Sequence, residues 1–162
     1  MSSPTRSWWS KVADRRDIVR QLRTLDEALL FVKMLGFAVA ARALVRLRLP
    51  LLQALLKTRT LRLIHDPVRP EQISRLIDLV IRFGRPLVRP GCYTRGLTLY
   101  YFLRRAGLDV SLDFGMGKIG TEFSGHCWIV RDGKPFLETV DPRPLFTRMY
   151  SIPQPAPRSG IA

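Results

Sequence analysis

The chain has 162 residues, enough for one compact domain with a buried core, and its hydrophobic content of 46% argues against a wholly disordered protein. Its net charge of +14 is uneven, because residues 1–90 carry 18 Lys and Arg against 7 Asp and Glu, whereas residues 91–162 carry 9 against 6. The basic front half favours an acidic partner, such as nucleic acid, an anionic membrane surface or an acidic peptide. The alternative is a set of Arg-rich helix faces exposed to solvent.

Cysteine usage and hydropathy indicate the compartment. Two cysteines and a start without signal-peptide character predict a reduced, cytoplasmic setting. The sequence has no Cys-x-x-Cys pair or Cys/His cluster, so we expect no metal and no other cofactor. The most apolar stretch, ALLFVKMLGFAVAARALV, is interrupted by Lys33 and Arg42. That interruption argues against a membrane span, and peripheral contact through a helix on the membrane surface is the alternative.

The pattern is helical up to Gly107. A first helix is predicted to begin at Thr24, which is spaced from Glu27 as in a capping box, and to end at Pro50. A shorter helix is predicted in LLQALLKTRTLRLI. A third is predicted to begin at Pro70 and to end at Gly84. Its apolar face is predicted to contain Ile73, Leu76, Ile77 and Val80.

The next helix carries a cysteine in its first turn. Pro90 and Gly91 break the chain immediately before Cys92, and the helical pattern that follows ends at Gly107. A helix N-terminus favours negative charge, so Cys92 is placed where a thiolate is stabilised.

After Gly107 the period falls to two. LDVSLDFG alternates strictly and predicts a strand, MGKIGTEFSG predicts a loop, and HCWIVRDGKPFLE predicts a hairpin that turns at Asp132–Gly133. In that hairpin residue 131 would pair with 134, 129 with 136, and His126 with Thr139. The predicted fold class is α+β. It comprises a basic helical region over 1–69 that packs on the core or docks to partners, a core over 70–152, and a flexible tail over 153–162.

His126 and Cys127 are adjacent but are not predicted to form a catalytic pair. Consecutive side chains on a strand point to opposite faces, so Cys127 is interpreted as a small packing residue. Cys92 is the predicted nucleophile, because the N–H groups that stabilise its thiolate also receive an oxyanion. His126 would serve as its base, with Glu138 or Asp141 holding the imidazole in the correct tautomer.

At these positions the chain resembles a known family. GCYTRGLTLYYFLRRAGLDVSLDFGMG and GHCWIVRDGKPFLE are similar to the transglutaminase-like cysteine peptidases of lasso peptide biosynthesis, called B proteins, or B2 proteins when they stand alone. The resemblance covers roughly residues 70–142. The positions that match the family pattern are Cys92, Arg95, Leu103, Arg104, Arg105, Gly107, Gly115, His126, Trp128, Val130 and Gly133.

The resemblance implies a transglutaminase/papain-like core and a protease that removes the leader from a ribosomally made precursor peptide. It implies Cys92 as nucleophile, His126 as general base and acid, and Glu138 where the family has an aspartate. It also implies as partners the leader peptide, a separate leader-binding B1 protein and an ATP-dependent cyclase. Two positions depart from the pattern: Cys127 stands where Ala is usual, and Arg131 stands where an acid is common.

Two other functions fit parts of the sequence. The same Cys/His machinery could pass its acyl group to an amine, as true transglutaminases do. A non-catalytic basic adaptor for nucleic acid or anionic lipid is the alternative from another class. Trp8 and Trp9 beside basic residues favour membrane contact. Nucleic acid is not expected as a partner, because the Arg runs are not interleaved with aromatic residues.

Overall fold

The computed structural model describes residues 22, 24–44, 56 and 69–153. Its helices are α1 (Leu25–Leu44), α2 (Pro70–Phe83) and α3 (Cys92–Arg105). Its strands are β1 (Ser111–Ile119), β2 (Glu122–Arg131), β3 (Lys134–Phe136) and β4 (Thr147–Ile152), and they form an antiparallel sheet in the order β3-β2-β1-β4. The predicted α+β class is confirmed.

Helix α1 begins as its capping sequence predicts. The N–H of Glu27 donates to Oγ1 of Thr24 at 3.2 Å. The Glu27 carboxylate accepts hydrogen bonds from Gln72 and Arg75, which ties α1 to α2. The predicted extension to residue 50 and most of the helix predicted over 51–64 lie outside the described residues, as do residues 154–162 of the predicted tail. No helix in the described part of the chain has the length and apolarity that a membrane span needs.

Helix α2 has the predicted bounds and the predicted buried face. It begins at Pro70, and the N–H of Gly84 donates to the carbonyl of Val80 at 2.8 Å. A Cβ at position 84 would lie 2.5 Å from that carbonyl oxygen, so the chain exit requires glycine here. The buried side chains of α1, α2 and α3 belong to one core with the inner face of the sheet.

Helix α3 approaches the sheet closely at Gly96. A Cβ on Gly96 would lie 3.0 Å from Sγ of Cys127 and 3.1 Å from Cδ1 of Leu112. Glycine at this position therefore lets the first turns of α3 rest directly on β2 and β1. This contact brings Cys92, at the start of the helix, to the strand that carries His126.

The loop predicted in MGKIGTEFSG is wrong. Strand β1 continues to Ile119 and β2 begins at Glu122, so most of this segment lies in the sheet. Gly117 is a position of close packing, since a Cβ there would lie 2.0 Å from the carbonyl oxygen of Leu145, whereas Gly120 has a φ of 63° in the turn between the two strands. Strand β4 was not predicted, and it pairs with β1 across a bulge after Phe114.

The second hairpin is confirmed near its turn and wrong further out. Asp132 and Gly133 have φ values of 51° and 72°, as a type I′ turn requires, and the two predicted pairs next to the turn are present. However, β3 ends at Phe136, and Leu137 with φ of 59° turns the chain away. Thr139 is therefore exposed and lies outside the strand rather than opposite His126.

Candidate active site

Cys92 is the first residue of α3. Its N-cap is Gly91, and no side chain of the described residues caps the helix by a hydrogen bond. The first-turn N–H groups of α3 are thus not taken by a capping side chain, and they add their partial positive charge to that of the helix dipole. The predicted position of Cys92 at a helix start is confirmed, and a thiolate or an oxyanion is stabilised there.

Cys92 lies against an open edge of β2. Strand β3 pairs with β2 at three residues, from Ile129 to Arg131, so the preceding stretch of that edge is not used by the ladder with β3. The backbone N–H of Cys127, in that stretch, donates to the sulfur of Cys92. At the edge of a strand a group can be reached from both faces, and the side chains of His126 and Cys127 both contact Cys92.

The contact of Cys127 with Cys92 was missed from the sequence. As the alternation of side chains along a strand predicts, Cys127 is buried against α3, at 4% exposure, whereas His126 contacts residues on the other face. Cys92, however, lies at the edge of β2, where both side chains reach it. The one sequence signal for this arrangement was the adjacency of the two residues.

The electrostatics of the site favour a thiolate. Hydrogen bonds from the Cys127 thiol and from the His126 imidazole lower the pKa of Cys92 from 9.0 to about 4, helped by the Cys127 N–H and the His126 charge and opposed by burial. The hydrogen bond with Cys92 in turn raises the pKa of His126 above 6.5. Between these two pKa values the pair is a thiolate and an imidazolium.

Aromatic rings hold the imidazole of His126. The Trp128 ring is stacked on it with centroids 6.0 Å apart, and the Phe146 ring centroid lies 5.0 Å away. Trp128 is 1% exposed, and a Cβ on Gly115 would lie 2.7 Å from its Cη2 atom. Gly115, one of the positions that match the family pattern, therefore makes room for the ring that packs beside the histidine.

Glu138 lies close enough to act on His126 electrostatically. After the turn at Leu137, its carboxylate accepts a hydrogen bond from the N–H of Ile129 and faces Nη1 of Arg95 at 3.4 Å. Burial raises the pKa of Glu138, while the charges of Arg95 and His126 oppose this shift. The charge of Glu138 in turn contributes to the raised pKa of His126, which stabilises the imidazolium.

Asp141 is engaged elsewhere. Its exposed carboxylate accepts hydrogen bonds from the side chain of Arg143 at 2.6 to 3.0 Å and from the Arg143 backbone N–H at 3.0 Å. These hydrogen bonds lower the pKa of Asp141. Of the two carboxylates considered from the sequence, Glu138 is the one whose charge acts on His126.

Arg95 connects the site to α2, a role that sequence reasoning did not assign. Its guanidinium donates to Oδ1 of Asp78 at 2.9 Å, to Oγ of Ser74 at 3.2 Å and to the carbonyl of Leu137 at 3.1 Å. It thereby fixes the segment that carries Glu138. The Cys-x-x-Arg spacing was the available signal, since it places the arginine one turn after Cys92.

A cleft of about 1230 Å³ leads to this site. It lies between α2, the start of α3 and the segment after β3, and it is lined by both Cys92 and Glu138. Other lining residues are Glu71, Ser74, Arg75, Asp78, Arg82, Arg85, Arg95 and Thr139. Within the described ranges there is no group of three or more His, Cys, Asp or Glu side chains that could hold a metal ion.

Comparison with known proteins places the chain in a family. The model of the transglutaminase-like superfamily (Transglut_core3) matches residues 30–151. The chain belongs to the transglutaminase-like superfamily. No curated protein and no solved structure matched it. Membership agrees with a papain-like α+β core, and it supports an activity of the cysteine protease or acyltransferase type.

Proposed function

We propose that this protein is a cysteine peptidase that removes the leader from a ribosomally synthesised lasso precursor peptide and frees the N-terminus of the core for cyclisation. The observation that carries the proposal is the interaction of His126 with Cys92, which lies at the start of α3 and lines a cleft. Superfamily membership supports the acyl chemistry. The resemblance of the Cys92 and His126 segments to lasso B proteins supports the choice of substrate.

The reaction begins with the thiolate of Cys92. It attacks the carbonyl of the last leader residue, and N–H groups of the first turn of α3 receive the oxyanion that forms. The imidazolium of His126 gives its proton to the nitrogen of the core peptide, the peptide bond breaks, and the leader remains as a thioester on Cys92. Water then loses a proton to His126 and attacks the thioester, which releases the leader acid and restores the thiolate.

Glu138 supports the proton transfers through His126. Its charge favours the imidazolium that is present before attack and that must form again during hydrolysis of the thioester. Arg95 holds the Glu138 segment in place. In this scheme Cys92 and His126 carry the chemistry, and Glu138 is a positioning residue.

The partners belong to the same proposal. A leader-binding B1 protein delivers the precursor, and an ATP-dependent lasso cyclase closes the ring on the freed amine. The basic residues 1–90 supply a docking surface for the delivery protein, the leader or an anionic membrane. A cytoplasmic location with peripheral contact at the membrane is part of the proposal.

The decisive experiment is incubation with a candidate precursor and its delivery protein, followed by mass spectrometry. The wild-type chain is expected to give separate leader and core peptides, and Cys92→Ala is expected to give neither. Cys127→Ala, the matched control, keeps the backbone N–H at position 127 and is expected to retain cleavage, with its acid limb moved to higher pH. If the precursor remains intact in the presence of the wild-type chain and its partners, the proposal is wrong.

Superfamily membership equally supports acyl transfer as a second candidate. An amine would then replace water as the group that attacks the thioester, and the product would be a cross-link. The same mass measurement separates the two reactions, because hydrolysis gives two peptides and transfer gives one joined species.

A further inference from the structure

We propose that Cys127 is a resolving cysteine, which captures Cys92 as a disulfide after Cys92 has been oxidised by a hydroperoxide. The two cysteines would then form a reversible oxidation site inside the candidate active site. A disulfide at such a site inactivates the nucleophile reversibly and protects it from irreversible oxidation. The inference concerns the thiols themselves and does not depend on which peptide the protein cleaves.

The geometry brings the two sulfurs together. Cys127 points from β2 toward α3, where a Cβ on Gly96 would lie 3.0 Å from its Sγ. Gly96 is four residues after Cys92 and lies on the same side of the helix. Each thiol is near enough to the other to shift its pKa, and neither is in a disulfide. Disulfide formation therefore joins two side chains that are already neighbours across the contact of α3 with β2.

The surroundings assign different roles to the two cysteines. Cys92 is partly exposed and lines the cleft, so a small oxidant reaches it, and its lowered pKa makes it the nucleophilic thiolate. Cys127 is buried, and the contact with Cys92 together with burial raises its pKa, so it stays protonated until Cys92 has reacted. Oxidation thus begins at Cys92, and Cys127 is the second thiol.

The chemistry balances in two steps. The thiolate of Cys92 attacks one oxygen of the hydroperoxide, the O–O bond breaks, and the departing alkoxide or hydroxide takes up a proton, which leaves a sulfenic acid. The sulfur of Cys127 then attacks the sulfur of Cys92, the S–O bond breaks, and the hydroxide leaves as water with the proton from the Cys127 thiol. The hydroperoxide receives two electrons from the two thiols. A dithiol returns them by exchange.

The test uses the full chain and hydrogen peroxide in limited amount. After treatment, free thiols are alkylated under denaturing conditions and the intact protein and its peptides are weighed. The wild-type chain is expected to lose two hydrogens and to resist alkylation at Cys92 and Cys127, and dithiothreitol is expected to reverse both effects. Cys127→Ala is expected to gain oxygen at Cys92 beyond the sulfenic stage, which dithiothreitol does not reverse.

Three controls make the result specific. Cys92→Ala is expected to leave Cys127 fully alkylatable, because the buried thiol does not react with peroxide by itself. Cys127→Ser keeps the volume of the side chain and replaces Cys127→Ala if the smaller residue impairs folding. Where cleavage is measured, the rate after peroxide and dithiothreitol is expressed as a fraction of the rate of the same untreated protein. This recovered fraction is expected to be about tenfold larger for the wild type than for Cys127→Ala.

Two outcomes would overturn the inference. One is a wild-type product that gains oxygen while Cys127 stays free, and the other is a disulfide that joins two chains instead of the two cysteines of one chain. Because mass and thiol content need no substrate, these outcomes are independent of the proposed function. A chain that cleaves no peptide but forms the disulfide would refute the peptidase proposal and leave this one standing.

Discussion

The lowered pKa of Cys92 predicts that the rate of its alkylation is almost independent of pH from weakly acidic to weakly basic solution. With a pKa of about 4, the thiolate fraction of Cys92 stays near its maximum from pH 5.5 to pH 8. A cysteine that titrated at its ordinary value of 9.0 would increase its thiolate fraction by about 300-fold over the same interval. We therefore expect the rate of alkylation by iodoacetamide to change by less than about twofold for the wild-type chain.

The variant His126→Ala tests the cause of this behaviour. It removes one hydrogen bond and one positive charge from the sulfur of Cys92, while the thiol and N–H of Cys127 remain. The pKa of Cys92 then rises, and alkylation is expected to accelerate by at least about tenfold between pH 5.5 and pH 8. The measurement is the labelling rate at Cys92, followed by mass.

Cys92→Ala is the control for this assay and should take up no label, because Cys127 is 4% exposed. A wild-type rate that rises by about a hundredfold over the interval would refute the thiolate assignment. Equal pH profiles for the wild type and His126→Ala would show that the imidazole does not contribute to it.

Three substitutions test the support of the site. Glu138→Gln should lower kcat/KM for cleavage by roughly a hundredfold and shift the pH profile of kcat/KM. The control Asp141→Asn should keep kcat/KM within about twofold of the wild type. Equal losses in the two variants would contradict the assignment of Glu138. Arg95→Ala should lower the free energy of unfolding by about 2 kcal/mol in urea titration, and an unchanged midpoint would refute its linking role. Gly115→Ala should cost about 1–3 kcal/mol in the same titration because its Cβ meets Trp128, and a neutral result would show that the ring moves freely.

The helices of the core could be predicted because residues at or next to their ends determine where they begin and stop. Pro70 and Gly84 bound α2, and Pro90 with Gly91 places Cys92 at the start of α3. These signals act within a few residues, so they do not depend on the rest of the fold. The turn at Asp132–Gly133 is local in the same sense, and the pairing beside it was correct.

The errors lie where distant parts of the chain decide the structure. Gly117 was predicted to lie in a loop, but it belongs to β1, because the segment after residue 144 packs tightly against that strand. The end of β3 is set by the positive φ of Leu137, a residue type for which such a conformation has no sequence signature. Strand β4 was missed because its pairing partner, β1, lies far away in the sequence.

The short length of β3 is what makes the candidate site. Had β3 continued to Thr139, as the turn alone suggested, its backbone would have occupied the edge of β2 beside Cys127. Instead the chain turns at Leu137, and two N–H groups on that side of β2 act on the two acidic groups of the site: that of Cys127, before the ladder with β3, lowers the pKa of Cys92, and that of Ile129, in the last pair of that ladder, opposes the rise in the pKa of Glu138. Side chains two residues apart on a strand share a face, and so do their edge amides, so one strand fixes the spacing between nucleophile and carboxylate. A substitution that lengthened β3 would therefore be expected to abolish activity without changing any of the residues that carry the chemistry.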